Sequence, residues 1–433
     1  MSHAPLNVLV AGAGIAGGSF VSCLLRALPD AQITLVERDP KPRLTGASVD
    51  IRSSAVDIIK WMGIEDEIRA NGTNEEGVRF VNGKGGEVAT FWATGRTDVQ
   101  SITSEFEIFR GKIAEILLRP ALEREQVKMM FDESVDRYKE KDDGVMVTFK
   151  KSKETKKYDL LVAADGLRSK IRGQMLDLPP KEQIHGEGMH AAYFTIPGDL
   201  LGGSKLALWY NDTKGRCVFL RPDPNPKGAT RGNLINATTK SQLETRARLD
   251  DAMLESHEAY MTLLEEIFAD AGWRTKEVLK GMRQSDDFYC SLFAQVWSEQ
   301  LVSKRVVLVG DAGYATPGIG TSFAIIGGYV LAGELLRSRI DSQEFGDMSE
   351  ALKRYEEIML PFVKGFRQDN SVPQLLNPQT WWGLGIRNAL LSVVGTLRLD
   401  RAAMWAFGGS DKNPAIPEYP WPERVEKTHL NKA

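Results

Sequence analysis

Three stretches of the chain end an apolar, strand-like run on glycine or an acidic residue. "GAGIAG" (residues 12–17) follows the run Leu6 to Ala11, Asp165-Gly166 ends "YDLLVAADG", and Gly310-Asp311 ends "RVVLVGDAG". A carboxylate can accept hydrogen bonds from ligand hydroxyls, and glycine lets a ligand approach the backbone. Because ligands bind across the carboxyl edge of a parallel sheet, the three stretches together predict one long ligand at that edge.

The first stretch has the G-x-G-x-x-G spacing typical of dinucleotide binding. Gly12 allows a tight turn, Gly14 lets backbone approach a pyrophosphate, and Gly17 lets helix and strand pack closely. Free N–H groups where the helix begins, at Ile15 and Ala16, favour phosphate. Glu37 ends the next strand-like run beside Arg38, and its position suits hydrogen bonds to ribose hydroxyls. These residues predict a dinucleotide and leave FAD and NAD open.

The elements that must position these residues form two kinds of structure. A strand–helix–strand opening predicts a parallel sheet, and "RVVLVGDAG" returns to it late in the chain. Alternating short runs over 127–161 predict an antiparallel meander. Runs over 189–238 and at "DDFYCSLF" predict a second, mostly antiparallel sheet, with a helix over 251–269. The remainder from Ser322 is predicted to be mainly helical.

Composition excludes several classes of protein. The net charge of −3 provides no basic face for nucleic acid. Three cysteines far apart form neither a metal site nor a disulfide framework, which favours a cytoplasmic, reducing compartment. No apolar run reaches the ~20 residues of a membrane span, and no signal peptide precedes the first strand, so we expect no stable membrane insertion. "WWGLGIRNALLSVVGTLRL" is predicted to be a packed C-terminal helix, with contact to a membrane surface as the alternative.

The three motifs, in this order, resemble those of the single-component (group A) FAD-dependent monooxygenases of the aromatic hydroxylase type, over roughly residues 6 to 365. The chain is more particularly similar to tetracycline-inactivating monooxygenases and their relatives in natural-product pathways. "RLTGASVD" supplies Arg43 and Asp50 at the spacing of that group, and "EIFRGKIAEIL" supplies Arg110. A surface ion pair is the alternative for Arg43 and Asp50.

The resemblance implies roles for these residues. Glu37 would hold the adenosine ribose, Asp311 the ribityl chain, and Arg110 would lie against the flavin. Arg43 would assist a nicotinamide cofactor. The loop "PGIGTS", with Gly318, Gly320 and Thr321, would approach the flavin through its backbone, and the helix after Ser322 would point its N-terminus at the ring. Two departures from the family, Tyr314 in place of a histidine and Ile319 in place of a glutamine, leave flavin mobility open.

The family's chemistry implies the reaction. NADPH or NADH, as a transient reductant, would reduce FAD, and a flavin hydroperoxide would transfer one atom of O2 to an aromatic or polyketide-like small molecule. A reductase or dehydrogenase without oxygen transfer is the alternative, and a flavin-free binding protein is a more distant one. No metal is expected, and the protein would be a monomer or homodimer. Candidate substrate contacts, each of which could instead be core, are His190, Tyr193, Trp209, Phe219, Arg221 and Tyr314.

The predicted fold class is α/β (α+β), with a Rossmann-like FAD-binding domain, an inserted antiparallel-sheet substrate domain and a helical C-terminal region. The FAD-binding domain would comprise 1–75, 101–180 and 301–365. The substrate domain would comprise 76–100 and 181–300. Residues 366–433 would form the C-terminal helical region and an extended tail.

Overall fold

The structure is a computed structural model. It describes residues 5–42, 46–73, 75–93, 106–224, 228–342, 348–366, 372–397 and 416–422. In chain order the strands are β1 (Asn7–Ala11), β2 (Gln32–Glu37), β3 (Ser48–Asp50), β4 (Gly77–Val81), β5 (Glu87–Trp92), β6 (Glu107–Phe109), β7 (Val127–Phe131), β8 (Val135–Lys141), β9 (Gly144–Phe149), β10 (Thr155–Tyr158), β11 (Leu160–Ala163), β12 (Ile184–Ile196), β13 (Leu206–Asp212), β14 (Arg216–Pro222), β15 (Thr230–Ala237), β16 (Tyr289–Val296) and β17 (Val306–Leu308).

The helices complete the inventory of elements. They are α1 (Ile15–Ala27), α2 (Ser54–Met62), α3 (Glu65–Ala70), α4 (Arg110–Leu122), α5 (Lys170–Met175), α6 (Leu243–Glu255), α7 (His257–Phe268), α8 (Thr275–Arg283), α9 (Asp311–Tyr314), α10 (Gly320–Ser342), α11 (Ser349–Lys364), α12 (Val372–Leu376) and α13 (Trp381–Thr396), with a short 3-10 helix at Pro180–Gln183. The chain therefore has the mixed α/β character that the sequence predicts.

A five-stranded parallel sheet carries the three glycine and acidic motifs. Its strand order is β17-β11-β1-β2-β7, and every neighbouring pair is parallel. The apolar runs of β1, β11 and β17 are buried, as expected of central parallel strands. Because β2, β1, β11 and β17 are consecutive neighbours, the residues that follow them all emerge along one edge.

A seven-stranded sheet forms the second layer, in the order β16-β12-β15-β14-β13-β4-β5. Its neighbours are antiparallel except β13 and β4, which are parallel. Residues of α6, α7 and α8 form a hydrophobic core with one face of this sheet. The other face has its own core, to which Leu391 and Val394 of α13 contribute.

The predicted meander over 127–161 is wrong for two of its strands. β7 pairs in parallel with β2, and β11 pairs in parallel with β1 and β17, so only β8, β9 and β10 form an antiparallel sheet. The cause is α4, which precedes β7 and returns the chain so that it runs in the direction of β2. Polar turns alone could not reveal this crossover.

The helix predicted over 251–269 is two helices. Ser256 separates α6 from α7 with extended backbone (φ −168°, ψ 163°), and its hydroxyl accepts a hydrogen bond from the N–H of Ala259 at 3.0 Å. Serine at this position satisfies a backbone donor that the new helix leaves free, which favours a break over a continuous helix.

The C-terminal helix α13 is only half packed, in contrast to the prediction. Gly395 lies against Ala89 of β5, and Arg387 is buried. The opposite side exposes large apolar side chains: Trp381, Trp382, Ile386, Leu390, Val393 and Leu397. Among the helices of the described residues, none has both the length and the apolar character needed to cross a membrane.

Candidate cofactor and substrate site

The glycine loop after β1 is built to approach a ligand. Gly12 has a φ of 107°, and a Cβ there would lie 2.2 Å from the carbonyl oxygen of Ala164. A Cβ on Gly17 would lie 2.0 Å from the carbonyl oxygen of Gly12, so both positions require glycine. Gly14 differs, because nothing lies within 4 Å of the equivalent point. Gly14 therefore leaves open space at the N-terminus of α1.

The first turn of α1 suits a phosphate. Ile15 and Ala16 begin the helix, no acidic residue lies in its first turn, and no side chain caps it. The partial positive charge of the helix end and its free N–H groups are therefore available to a pyrophosphate.

Glu37 holds its carboxylate beside this loop. Its Oε2 accepts a hydrogen bond from the N–H of Ala13 at 3.0 Å, and its Oε1 accepts one from the N–H of Asp39 at 3.2 Å. Each carboxylate oxygen has a second lone pair for a ligand hydroxyl. Arg38, the next residue, is exposed. The position of Glu37 suits a ribose.

Asp165 presents an unsatisfied oxygen at the neighbouring strand end. Its Oδ2 accepts from the N–H of Lys170 at 3.1 Å, whereas Oδ1 is buried and has no hydrogen-bond partner among the described residues. Burial raises the pKa of this carboxyl. Gly166, with a φ of 84°, has no atom within 4 Å of the point that a Cβ would occupy. A polar ligand beside this open backbone could donate a hydrogen bond to the buried oxygen of Asp165.

Asp311 comes shortly after β17 and directly after Gly310, a position that a larger residue could not easily occupy. Gly310 has a φ of 65°, and a Cβ there would lie 2.7 Å from the Cβ of Ala16. Gly320 begins α10, two residues earlier than predicted, and a Cβ on it would be 3.2 Å from Oδ1 of Asp311. Gly318 is open and has a φ of 83°, and Thr321 is partly exposed. Backbone and carboxylate therefore share one accessible edge.

Arg172, which the sequence analysis did not single out, joins two of these strand ends. It is fully buried, its Nη1 donates to the carbonyl oxygen of Ala312 at 2.8 Å, and its Nη2 donates to that of Leu167 at 2.9 Å. Burial lowers its pKa to about 10. The sequence signal that could have drawn attention to Arg172 is its position three residues after Ser169. The Ser169 hydroxyl accepts a hydrogen bond from the N–H of Arg172 and caps α5.

Arg110 connects this edge to the seven-stranded sheet. It is the first residue of α4, and its Nη1 donates to the Tyr289 hydroxyl at 3.3 Å. The Tyr289 hydroxyl and then Asp311 raise the pKa of Arg110, although burial opposes them. The rings of Tyr289 and Tyr193 stack with centroids 6.1 Å apart. A cation thus lies between the cofactor edge and the sheet.

These features fit FAD. Its pyrophosphate matches the open loop at Gly14, and its hydroxyls match the carboxylates of Glu37 and Asp311. A family described as an FAD binding domain matches residues 5–322 of the chain. The chain belongs to this family.

Relatives that match nearly the whole chain include two proteins named as monooxygenases. FAD-dependent monooxygenase asL4 of Sarocladium schorii is 31% identical over 96% of this chain and 98% of that protein. Monooxygenase CTB7 of Cercospora beticola is 29% identical over 97% of this chain and 99% of that one. The crystal structure of tetracycline destructase Tet(51) superposes with a TM-score of 0.73 at 28% identity, covering 97% of this chain and all of that one. The protein is an FAD-dependent monooxygenase that binds FAD.

Three of the predicted substrate contacts of the monooxygenase share one face of the seven-stranded sheet. Tyr193 on β12, Phe219 on β14 and Trp209 on β13 belong to a single row of directly paired residues, and they contribute to the same core. The Trp209 and Phe219 ring centroids are 4.7 Å apart. Arg221 lies on this face too, two residues beyond Phe219.

The other two predicted contacts lie elsewhere. His190 is on the opposite face of β12, where it is fully buried, and its Nε2 is 3.0 Å from Oδ1 of Asp250 on α6. Tyr314 is directed into the core, with its hydroxyl 3.0 Å from that of Tyr355. Neither placement supports contact with substrate. The interval of three residues between His190 and Tyr193 already assigns them to opposite faces of a strand.

Of the two residues predicted from the "RLTGASVD" stretch, the structure describes only Asp50. Arg43 lies outside the described residues. Asp50 on β3 accepts a hydrogen bond from Nη2 of Arg52 at 2.6 Å, and burial raises its pKa. β3 pairs with β6, so Asp50 stands opposite Glu107 in a ribbon near the cofactor edge.

A cavity lies between this ribbon and the seven-stranded sheet. Several of the residues that form it do not stand out in the amino-acid sequence, including Asn233 and Arg231 on β15 and Phe109 on β6. Asn233 and Arg231 are two residues apart on β15, so the alternation of side chains along a strand places both on the same face. The alternation does not say which face of the sheet meets the cofactor.

Proposed function

We propose that this monooxygenase uses NAD(P)H and O2 to insert one oxygen atom into a hydrophobic aromatic or polyketide-like small molecule. The aromatic face of the seven-stranded sheet carries this proposal. Tyr193 on this face pairs with Tyr289, whose hydroxyl accepts a hydrogen bond from Arg110 at the cofactor edge. Phe219 and Trp209 continue the same face. The cavity wall combines aromatic rings, such as those of Tyr193 and Phe109, with polar groups that can orient a ring system.

The residues of the chain have distinct tasks in this proposal. Bound FAD supplies the redox chemistry, accepting electrons from NAD(P)H and activating O2. Gly14 and the start of α1 would bind the pyrophosphate, while Glu37 and Asp311 would accept hydrogen bonds from its hydroxyls. Arg110 would provide positive charge beside the ring, and the sheet would exclude water and orient the substrate. Arg43 stays our candidate for contact with the nicotinamide.

The name of one similar structure suggests which compounds to test. Tet(51) bears the name of a tetracycline destructase. We propose that the substrate shares with tetracycline a ring system that carries several oxygen atoms, and tetracycline therefore belongs in the panel together with simpler phenols and quinones.

We also propose a cytoplasmic location and the domain division predicted above. Cys23, Cys217 and Cys290 form no disulfide with one another, which suits a reducing compartment. β4 and β5 lie in the same sheet as β12 to β16, which supports assigning both segments to one substrate domain.

The decisive experiment is NADPH-dependent oxygen uptake by the purified holoenzyme across that panel, with hydrogen peroxide followed in parallel. We expect one compound class to stimulate uptake with little peroxide and to yield a product heavier by one oxygen atom. Flavin reduction without oxygen transfer to any compound would replace this proposal with a reductase or dehydrogenase. NADH in place of NADPH, at equal concentration, identifies the reductant.

A further inference from the structure

A continuous row of paired residues crosses the seven-stranded sheet on its cavity side. It runs Tyr289, Tyr193, Asn233, Phe219, Trp209 and Phe80, each directly opposite the next on the neighbouring strand. Five of these six side chains are aromatic. Asn233 is the polar interruption, and it lies in the middle of the row.

The Asn233 side chain has no structural task within the described part of the protein. The residue is 7% exposed, lines the cavity, and makes no side-chain hydrogen bond to another described residue. Asn211, on the same face, contrasts with it, because its amide is bonded to Asn377 and Trp209. A nearly buried amide without a partner is costly unless something in the cavity completes it.

The first cation of the cavity wall is already neutralised. Arg221 donates from Nε to Glu75 at 2.6 Å and from Nη2 to Glu107 at 2.5 Å, and its Nη1 is bonded to the Ser48 hydroxyl. All three nitrogen atoms of this guanidinium therefore have protein partners. Two carboxylates share one positive charge.

The second cation is also paired with two carboxylates, although its Nε makes no hydrogen bond to another described residue. Nε of Arg231 lies 2.5 Å from a carboxylate oxygen of Asp223, and its Nη1 lies 2.8 Å from Asp287 and 2.6 Å from the Thr195 hydroxyl. Its guanidinium carbon lies 4.6 Å from the centroid of the Phe109 ring. Among the described residues that line the cavity, the arginines Arg221 and Arg231 thus have four carboxylates between them.

An anionic substrate would meet an unfavourable environment here. Its carboxylate would bring a further negative charge to a wall whose cations are paired, and burying an unpaired charge is expensive. A hydroxyl or carbonyl oxygen faces no such penalty. The amide of Asn233 can donate to a carbonyl and can both donate to and accept from a hydroxyl.

We propose that Asn233 is the specificity-determining polar contact of the cavity, and that it selects neutral ring systems bearing a hydroxyl or carbonyl against aromatic carboxylates. This inference rests on the proposed function and adds the charge class of the substrate to it. Tyr193, which lines the cavity beside Asn233, would contact the ring, while Asn233 would fix one oxygen and so orient the ring.

Binding can be measured without turnover. We would use equilibrium dialysis with the oxidised holoenzyme at pH 7 without NADPH. The dissociation constants would be determined for matched pairs of compounds, each pair consisting of a neutral compound and its carboxylate. The pairs are 2-naphthol with 6-hydroxy-2-naphthoate, and 1,8-dihydroxyanthraquinone with its 3-carboxylate. We expect each neutral compound to bind about tenfold or more tightly than its carboxylate. Equal or tighter binding of the carboxylates would overturn the inference.

Three variants test the residues named. Asn233→Leu keeps the volume but loses the hydrogen bond, and it should weaken binding of the neutral compounds about tenfold. Asn236→Leu, on the same strand but on the opposite face, should leave their binding unchanged. Glu107→Gln removes one negative charge beside Arg221. It should reduce the difference in dissociation constant between the neutral compound and the carboxylate of each pair. FAD content and thermal midpoint, measured for each variant, verify that it is folded.

The outcomes separate this inference from the function on which it rests. Unchanged binding in Asn233→Leu, together with normal oxygen transfer in the wild type, would remove Asn233 as the selective contact and leave the monooxygenase proposal standing. Neutral selectivity that depends on Asn233, in a protein that transfers no oxygen to any compound, would support the contact and refute the proposed reaction.

Discussion

Asp311 is a single side chain whose surroundings define its task. Gly310 turns the chain sharply after β17, and Gly320 leaves just enough space for the carboxylate. Asp311 also interacts with both Arg110 and Arg172, and its charge acts to raise the pKa of each. The carboxylate is therefore held near positive charge at the cofactor edge, where it can accept hydrogen bonds from ligand hydroxyls.

The variant Asp311→Ala should purify with much less FAD than the wild type while the seven-stranded sheet stays folded. The loss of a hydrogen-bond acceptor for a bound hydroxyl is worth about 1–3 kcal/mol, or roughly a five- to 150-fold weaker affinity. The ratio of flavin to protein absorbance measures it. Asp311→Asn, which keeps the shape and one acceptor, should lose less. A full complement of flavin in Asp311→Ala would contradict the assignment.

At the scale of elements, Arg172 fastens the loop after β11 to the loop after β17. Replacement by methionine would leave two buried carbonyl groups unpaired, so we expect Arg172→Met to reduce the free energy of unfolding by about 2–4 kcal/mol and to lower FAD retention. Arg172→Lys should recover little, because an ammonium cannot reproduce the fork that reaches both carbonyls. Urea denaturation and flavin content test this. Wild-type values for the methionine variant would show that the link is dispensable.

The three-stranded sheet depends on Glu133 at the turn after β7. Its carboxylate accepts hydrogen bonds from the N–H groups of Ser134, Lys151 and Ser152 at 2.8–2.9 Å. Burial raises the pKa of Glu133, but these three donors together lower it to about 2. Since the ordinary value is 4.5, the stabilisation is complete above that pH and is lost as the pH falls towards 2.

Glu133→Gln should therefore cost up to about 3 kcal/mol of unfolding free energy at pH 7. The difference from the wild type should shrink between pH 4.5 and pH 2. Denaturant titrations across this interval measure both effects. The matched control is Glu154→Gln, an exposed carboxylate nearby, which should leave the unfolding free energy close to that of the wild type. A difference that persists at low pH would mean that charge is not the cause.

At the scale of the whole molecule, FAD should join segments that are remote in sequence. The edge it would occupy is assembled from the ends of β1, β2, β11 and β17, which span residues 11 to 308. Removal of FAD should lower the thermal midpoint, and readdition should restore it. A ligand present at 100 times its dissociation constant contributes about 2.7 kcal/mol. A midpoint that does not respond to FAD concentration would exclude such coupling.

Local patterns were sufficient to predict residues for the cofactor half of the site, and the roles of these residues stay predictions. The glycines of the first loop, Glu37, and the two strand ends at Asp165 and Asp311 all follow from spacing within a strand and the turn after it. The positive φ of Gly12 and Gly310 is a local preference of glycine, although the close contacts at both positions come from the distant residues Ala164 and Ala16. The resemblance to a known family, carried by the same motifs, was confirmed for the same reason.

The substrate half required the assembled sheet. Whether Tyr193 or His190 faces the cavity depends on which side of β12 meets the ribbon of β3 and β6, and those strands come from distant parts of the chain. The neutralisation of Arg221 likewise needs Glu75 and Glu107, which are 146 and 114 residues away. The amino-acid sequence was enough to specify the cofactor and the chemistry, because each motif is local. Long-range register alone decided which aromatic residues, and which charges, line the cavity that we propose for the substrate.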